Sequence, residues 1–250
     1  MEGPSLFLAA EQLAPLVGKK IKKIAGNTKM GKERILGKVI LSIFSHGKHL
    51  YFQFDTFALR VHFLLYGSFE ATVKGKSVTG DYKRTREPRL SFQCTPANHV
   101  ELFNCSLRLI ESPHAKDLCD FTIDIMSPAW DSSQALIQMK NQPESEIADV
   151  LLDQSLFMGV GNIIKNEVLL LAHLSPLRKV NEISDAQLTH LIQITRDYVF
   201  QFYEWRKHFV LKKHYQVYRQ SLCKQCGSKV QRKRTGTRNR ISFICPHCEM

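Results

Sequence analysis

Short apolar runs fill the first half of the chain and give way, near residue 126, to apolar residues at helical spacing. Leu6, Phe7, Ala10, Leu13 and Leu16 recur every three or four positions. They predict one helix that starts near Pro4, a residue suited to a first helical turn, and stops at Gly18. The runs at 39–44, 50–54, 59–63, 90–94 and 100–103 are short and rich in β-branched and aromatic residues, so they predict strands. Between the first two, Ser45-His46-Gly47-Lys48 reads as a hairpin turn. Strands of this length and spacing imply a sandwich or a barrel.

Beyond residues 126–130 the period changes. Ala135, Leu136 and Met139, then Ile147, Val150 and Leu151, fit two short amphipathic helices. A third is expected to begin at Asn162 and to carry Ile163, Val168, Leu169 and Leu171. Ser184 and Gln187 form a capping-box pair, with Ile183 as a hydrophobic staple, ahead of a helix through Leu188, Leu191, Ile192, Val199 and Phe202. From about Ser221 the chain is polar, basic and rich in cysteine.

That tail holds the most specific spacing in the sequence. Cys223-Lys224-Gln225-Cys226 and Cys245-Pro246-His247-Cys248 are separated by 18 residues, the pattern of two metal knuckles joined by a β-hairpin. Four thiolates complete a tetrahedral shell with no open position. The expected cofactor is therefore one structural Zn2+ ion that does no chemistry and on which so small a module depends to fold. The other reading, four buried or disulfide-bonded cysteines, suits a tail this polar less well. Cys94, Cys105 and Cys119 are scattered and read as small core hydrophobes.

Charge adds a class of partner. The 250 residues include 35 Lys and Arg against 23 Asp and Glu, a formal charge of +12, which favours a polyanion through counterion release. The excess concentrates in 206–240, where Arg232, Lys233, Arg234, Arg238 and Arg240 fall inside the cysteine spacer. A metal-pinned hairpin with an arginine-rich tip is suited to phosphate or groove contacts. No apolar run approaches the roughly 20 residues of a membrane-spanning helix, and the start lacks a secretory pattern. These features predict an intracellular chain with no membrane partner, and it is expected to be a monomer. It would be cytoplasmic and nucleoid-associated if bacterial, and otherwise found wherever DNA is held.

Taken in order, several segments together resemble the formamidopyrimidine-DNA glycosylase/endonuclease VIII family of base-excision repair enzymes. Glu2-Gly3-Pro4 is similar to that family's Pro-Glu-Gly-Pro start, and Ser45-His46-Gly47-Lys48-His49-Leu50 resembles the hairpin that presents its lysine. Leu151-Leu152-Asp153-Gln154, Gly159-Val160-Gly161-Asn162-Ile163 and Glu167 resemble its helix–two-turn–helix signature. Val217-Tyr218-Arg219 and the four cysteines resemble its zinc finger, with Arg240 five residues before the third cysteine. His46-Gly47-Lys48 and Leu65-Tyr66-Gly67 are more similar to the endonuclease VIII branch, which favours oxidised pyrimidines, although Leu64 stands where that branch has a glutamine.

The resemblance implies an α+β multidomain chain: an N-terminal catalytic β-sandwich domain over 1–122, a helix–two-turn–helix DNA-binding domain over 123–210 and a zinc-ribbon finger over 211–250. It implies a glycosylase with apurinic/apyrimidinic lyase activity on damaged DNA, in which an N-terminal amine forms a Schiff base with the sugar of an everted nucleotide. Met1 occupies the place of the family's proline, and its primary amine remains able to form an imine. Glu2 would act as general acid and base, and Lys48 would hold a phosphate or the leaving group. Leu65 and Tyr66 would fill the gap in the base stack. Gly161, Asn162 and Arg240 would bind phosphate near the lesion, and Arg108 would reach the opposite strand. The missing proline motivates an alternative, a catalytically impaired protein that binds damaged DNA.

By residue type alone, four of these positions read more plainly: Lys48 as an exposed hairpin-tip lysine, Leu64-Leu65-Tyr66 as a buried strand end, Glu2 as an acid favoured at a helix N-terminus, and Asn162 as an N-cap.

Overall fold

In the computed structural model, which describes residues 1–80 and 87–249, the opening helix is α1 (Gly3–Leu13). It stops short of the expected Gly18, because Pro15 has no N–H to continue the helical ladder and the chain tightens into a 3-10 turn over Ala14–Leu16. The chain forms two compact units, Met1–Asp120 and a second from Phe121 onward.

The first unit is a β-sandwich. Its strands are β1 (Lys23–Ala25), β2 (Ser42–His46), β3 (His49–Gln53), β4 (Ala58–Val73), β5 (Lys76–Thr79), β6 (Leu90–Thr95) and β7 (Asn98–Ile110). Hydrogen bonding runs β1-β6-β7-β4-β3-β2, with β5 on β4. Two long strands make the two layers. The first half of β4 pairs with β3 and the end of β7, and its second half pairs with β5 and the start of β7. The changeover is a bulge. Phe63 faces Cys105 and Ser68 faces Phe103, five steps along β4 against two along β7, so residues between them loop out.

Alternation along the strands supplies the core. Leu50, Phe52, Leu59 and Val61 from one layer pack with Leu90, Phe92, Val100 and Leu102 from the other, and α1 adds Leu6, Ala9 and Leu13. Phe52 and Phe92 meet edge to face with centroids 5.4 Å apart. The expected strand at 59–63 is longer because the apolar run Leu64-Leu65-Tyr66 interrupts the alternation without ending the strand. Cys94 and Cys105 lie in the core, and Cys119 is half-buried.

The second unit carries α2 (Ser132–Lys140), α3 (Ile147–Leu151), α4 (Asn162–Leu171), α5 (Asp185–Lys207) and a hairpin of β8 (Gln231–Thr235) and β9 (Arg240–Ile244). The Asp131 carboxylate caps α2 by accepting from the N–H groups of Ser133 and Gln134. At α5 both halves of the Ser184/Gln187 capping box are present and Ile183 is buried, as the sequence predicts. No helix among the described residues is long and apolar enough to cross a membrane.

Candidate nucleic-acid interface and metal centre

The β2–β3 hairpin turns on Gly47 and Lys48, with Gly47 at φ 53°, a value suited to the first position of a primed two-residue turn. Lys48 is half-buried rather than an exposed tip lysine. Period-two alternation places His49 and Tyr51 of β3 on the face of the sheet away from the core, beside Arg60 and His62 of β4 and Arg108 of β7. His49 and His62 are cross-strand partners with ring centroids 5.2 Å apart, and Arg60 pairs with the exposed Arg108.

This face is positively charged, and its imidazoles respond to that. Burial, then the charges of Lys48, the Met1 amine and Arg60, push His62 below its ordinary value. Burial, then His62, Arg60 and His46, push His49 down to about 4. The Lys48 ammonium and the Met1 amine thus both act on one imidazole. Met1 packs against the core, and Glu2 beside it is 7% exposed. Glu2 is the N-cap residue of α1, the helix-end position at which an acid is favoured, and its side chain makes no capping hydrogen bond. His62 and Arg60 went unremarked in the sequence, although the alternation Leu59-Arg60-Val61-His62-Phe63 sets them opposite the core-facing residues.

Leu64, Leu65 and Tyr66 are 45%, 65% and 48% exposed, so the reading of a buried strand end is wrong. They form the loop of the β4 bulge, fixed from below. Asn104 on β7 donates from Nδ2 to the Leu65 carbonyl at 2.7 Å. A Cβ at Gly67 would sit 2.6 Å from the Asn104 carbonyl oxygen, so only glycine fits there. Tyr66 is held at φ 63°, a left-handed conformation that an aromatic residue adopts only at a cost in strain. An apolar and an aromatic side chain are therefore presented to solvent on a strained, braced loop.

In the second unit, Gly161 is the extended N-cap of α4 and Asn162 is its first helical residue, so the plain N-cap reading of Asn162 does not hold. The Asn162 amide donates to the Ile241 carbonyl at 3.0 Å, while its Oδ1 is buried with no hydrogen-bond partner. That bond ties the helix N-terminus to the strand residue next to Arg240, which is exposed. Sequence-predicted Gly161, Asn162 and Arg240 are thereby brought together at the N-terminus of α4.

Three consecutive polar residues on α4 are buried because the ribbon packs over them. Lys165 donates to Ser242 Oγ at 2.6 Å, and Asn166 accepts from the Phe243 N–H at 2.7 Å. Glu167 accepts from the N–H groups of Gln216, Val217 and Tyr218 at 2.8, 3.1 and 2.7 Å. At the other end, the hairpin tip is clasped by acids from α3 and its flanks. The Gly236 N–H donates to Glu146, and Asp149 accepts from Thr237 and Arg238. Arg238 lies 3.7 Å from Asp153.

Cys223, Cys226, Cys245 and Cys248 are free thiols whose sulfurs lie within 4.8 Å of one another. Zinc–sulfur bonds of about 2.3 Å require sulfurs about 3.8 Å apart, so the four can close on one tetrahedral metal ion after small adjustments. The small apolar cluster around them, with Leu170, Val217, Val230 and Phe243, is continuous with α4.

Comparison with known proteins extends these observations. Residues 123–201 match the family model "Formamidopyrimidine-DNA glycosylase H2TH domain". Endonuclease 8-like 3 of Mus musculus is 35% identical over 216 residues, covering 85% of this chain and 35% of the relative. This chain therefore spans about a third of the length of that protein. An Endonuclease 8-like protein of Acanthamoeba polyphaga mimivirus is 24% identical, with both chains fully covered. In fold, the chain is similar to Lactococcus lactis formamidopyrimidine-DNA glycosylase bound non-covalently to DNA containing an AP site, with a TM-score of 0.84, 21% identity and full coverage of both chains.

Proposed function

The chain belongs to the formamidopyrimidine-DNA glycosylase/endonuclease VIII family, and from that membership we propose that it is a base-excision-repair DNA glycosylase with apurinic/apyrimidinic lyase activity. It acts as a monomer on oxidised bases in damaged DNA and carries one structural Zn2+ on Cys223, Cys226, Cys245 and Cys248. The observation that carries the reading is Glu2, 7% exposed and next to Met1 at the start of α1, with Lys48 and the Met1 amine both among the charges that lower His62.

In this mechanism the neutral Met1 amine attacks the sugar C1′, the C1′–N bond to the base breaks, and the base leaves with a proton. Glu2 protonates the ring oxygen as the sugar opens to an imine. Its carboxylate then takes a proton from C2′, and the C3′–O bond breaks with departure of the phosphate. Lys48 and Arg60 offer cations to the phosphates. Leu65 and Tyr66 fill the place of the everted nucleotide, and Gly161, Asn162 and Arg240 bind backbone phosphate. Arg108 reaches the opposite strand.

Borohydride reduction in the presence of abasic duplex should give a covalent adduct. Peptide mass spectrometry should find the sugar remnant on the α-amine of Met1, and acetylating that amine should abolish it. A remnant on Lys48 would reassign the nucleophile. Normal binding of the abasic duplex with no adduct would instead establish the second reading, a damage-binding protein without the reaction, which the replacement of proline by Met1 motivates.

A further inference from the structure

The arginine-rich tip of the β8–β9 hairpin is the sort of turn that binds anions through its backbone. Successive N–H groups at Gly236, Thr237 and Arg238 point into one concavity, a geometry that cradles phosphates and carboxylates. Here the chain fills that concavity itself. Glu146 Oε2 accepts from the Gly236 N–H at 2.7 Å. Asp149 Oδ2 accepts from the N–H and the hydroxyl of Thr237, and Asp149 Oδ1 accepts from the Arg238 N–H at 3.3 Å. The fit leaves no slack, since a Cβ at Gly236, which sits at φ +68°, would meet Asp149 Oδ1 at 2.1 Å.

We propose that Asp149 is a positioning residue: seated in the turn amides, it fixes the hairpin tip on α3 and so sets where Arg240 presents its guanidinium to a DNA phosphate. Arg240 is the first residue of β9, directly across from Thr235 at the base of the turn, so any swing of residues 236–239 is transmitted to it. Thr235 and Ser242 further along are tied to each other at 2.6 Å and Ser242 to Lys165 of α4, so the tip beyond them is held by acids, and Asp149 accepts three of the four hydrogen bonds that it and Glu146 take from residues 236–238. This inference rests on the proposed DNA-binding reading of Arg240.

The sign of the effect separates positioning from simple electrostatics. Removing an acid from a basic surface should strengthen attraction to DNA if charge alone matters. If Asp149 positions Arg240, removing it should weaken binding. The test uses the full metal-loaded chain and a duplex containing a tetrahydrofuran abasic analogue, with Kd measured across a salt series for wild type, Asp149→Ala, Arg240→Ala and the double variant.

Asp149→Ala should bind at least about tenfold more weakly, the scale of one lost charge-assisted hydrogen bond. The slope of log K against log salt should become shallower by about 0.9, one phosphate contact. Arg240→Ala should then add little on top of Asp149→Ala. A general loss of folded protein would reduce the active fraction and leave that slope unchanged. Should Asp149→Ala fail to hold metal, Thr237→Val removes only the hydroxyl bond to Asp149, and the same weakening and non-additivity are expected at smaller size. Unchanged or tighter binding, or full additivity with Arg240→Ala, overturns the inference. Failure of the wild type to bind the abasic duplex would instead overturn the reading on which it rests.

Discussion

Replacing Glu167 by alanine tests whether buried acceptors, rather than apolar packing, anchor the ribbon. The Glu167 side chain is fully buried, and its two oxygens accept from three consecutive backbone N–H groups, those of Gln216, Val217 and Tyr218. Truncation strands all three. The Val217 bond is wholly buried and should cost the full penalty of an unsatisfied donor, about 1–3 kcal/mol. The other two are only partly buried, so water can re-solvate them and the cost should be nearer 0.5–1 kcal/mol each. Against this stands a relief term, because burial raises the Glu167 pKa and so penalises its charged form. The net expectation is a loss of about 2–4 kcal/mol, a large share of the ~5–15 kcal/mol that holds a typical domain together. Glu167→Gln keeps one acceptor oxygen and should lose about half as much. Urea unfolding gives the stability, and a chromogenic chelator reports metal release in the same titration. Because residues 216–218 lead directly to Cys223, metal release should move to lower urea along with the unfolding. A Glu167→Ala variant within about 1 kcal/mol of wild type, releasing metal at the same urea concentration, would refute the argument.

Two further predictions concern the first unit. His49 stays neutral in the folded chain down to about pH 4, whereas an unfolded histidine takes up its proton near 6.5. Between those values the unfolded state binds the extra proton, so stability is fully present above about pH 6.5 and is lost as pH falls toward 4. Allowing for partial solvent screening, the loss is about 2 kcal/mol, and His49→Gln should flatten that part of a pH series of urea melts. Tyr66→Gly should keep or slightly raise the melting temperature, since glycine relieves a left-handed cost of about 1–2 kcal/mol, while binding to abasic duplex weakens about tenfold or more. A clear drop in stability would show that the φ of 63° is not strained.

What could be read in the sequence was whatever repeats or punctuates. The 3.6-residue stripe of α5 with its Ser184/Gln187 box, the alternation that fills the sandwich core and the paired cysteine knuckles each leave a pattern in residue type. The bulge of β4 does not. Leu64-Leu65-Tyr66-Gly67 looks like an apolar strand end, and only the pairing of Phe63 with Cys105 and Ser68 with Phe103 shows that it is expelled from the sheet. The cationic face was only latent: alternation can set Arg60 and His62 opposite the core-facing residues, but their places beside His49 and Arg108 depend on long-range pairing of three strands. Acids that serve backbone N–H groups are least visible, because an acceptor for a distant main-chain donor needs no spacing in the sequence at all.

Those acids explain how so basic a ribbon stays attached. Its apolar cluster holds little more than Leu170, Val217, Val230, Phe243 and the cysteines, too small a core to fix the orientation of a two-stranded hairpin. Glu146, Asp149 and Glu167 make up the difference by accepting hydrogen bonds from ribbon or pre-ribbon amides. These acids take mainly main-chain donors, with the Thr237 hydroxyl and a 3.7 Å Arg238–Asp153 pair as side-chain additions, so Arg232, Lys233, Arg234 and Arg240 all remain exposed. Had the same acids paired with those side chains instead, the ribbon would be held equally well but its charge would be neutralised. The use of mainly backbone donors, rather than those basic side chains, is what lets an acidic clasp and an exposed basic surface occupy the same small hairpin.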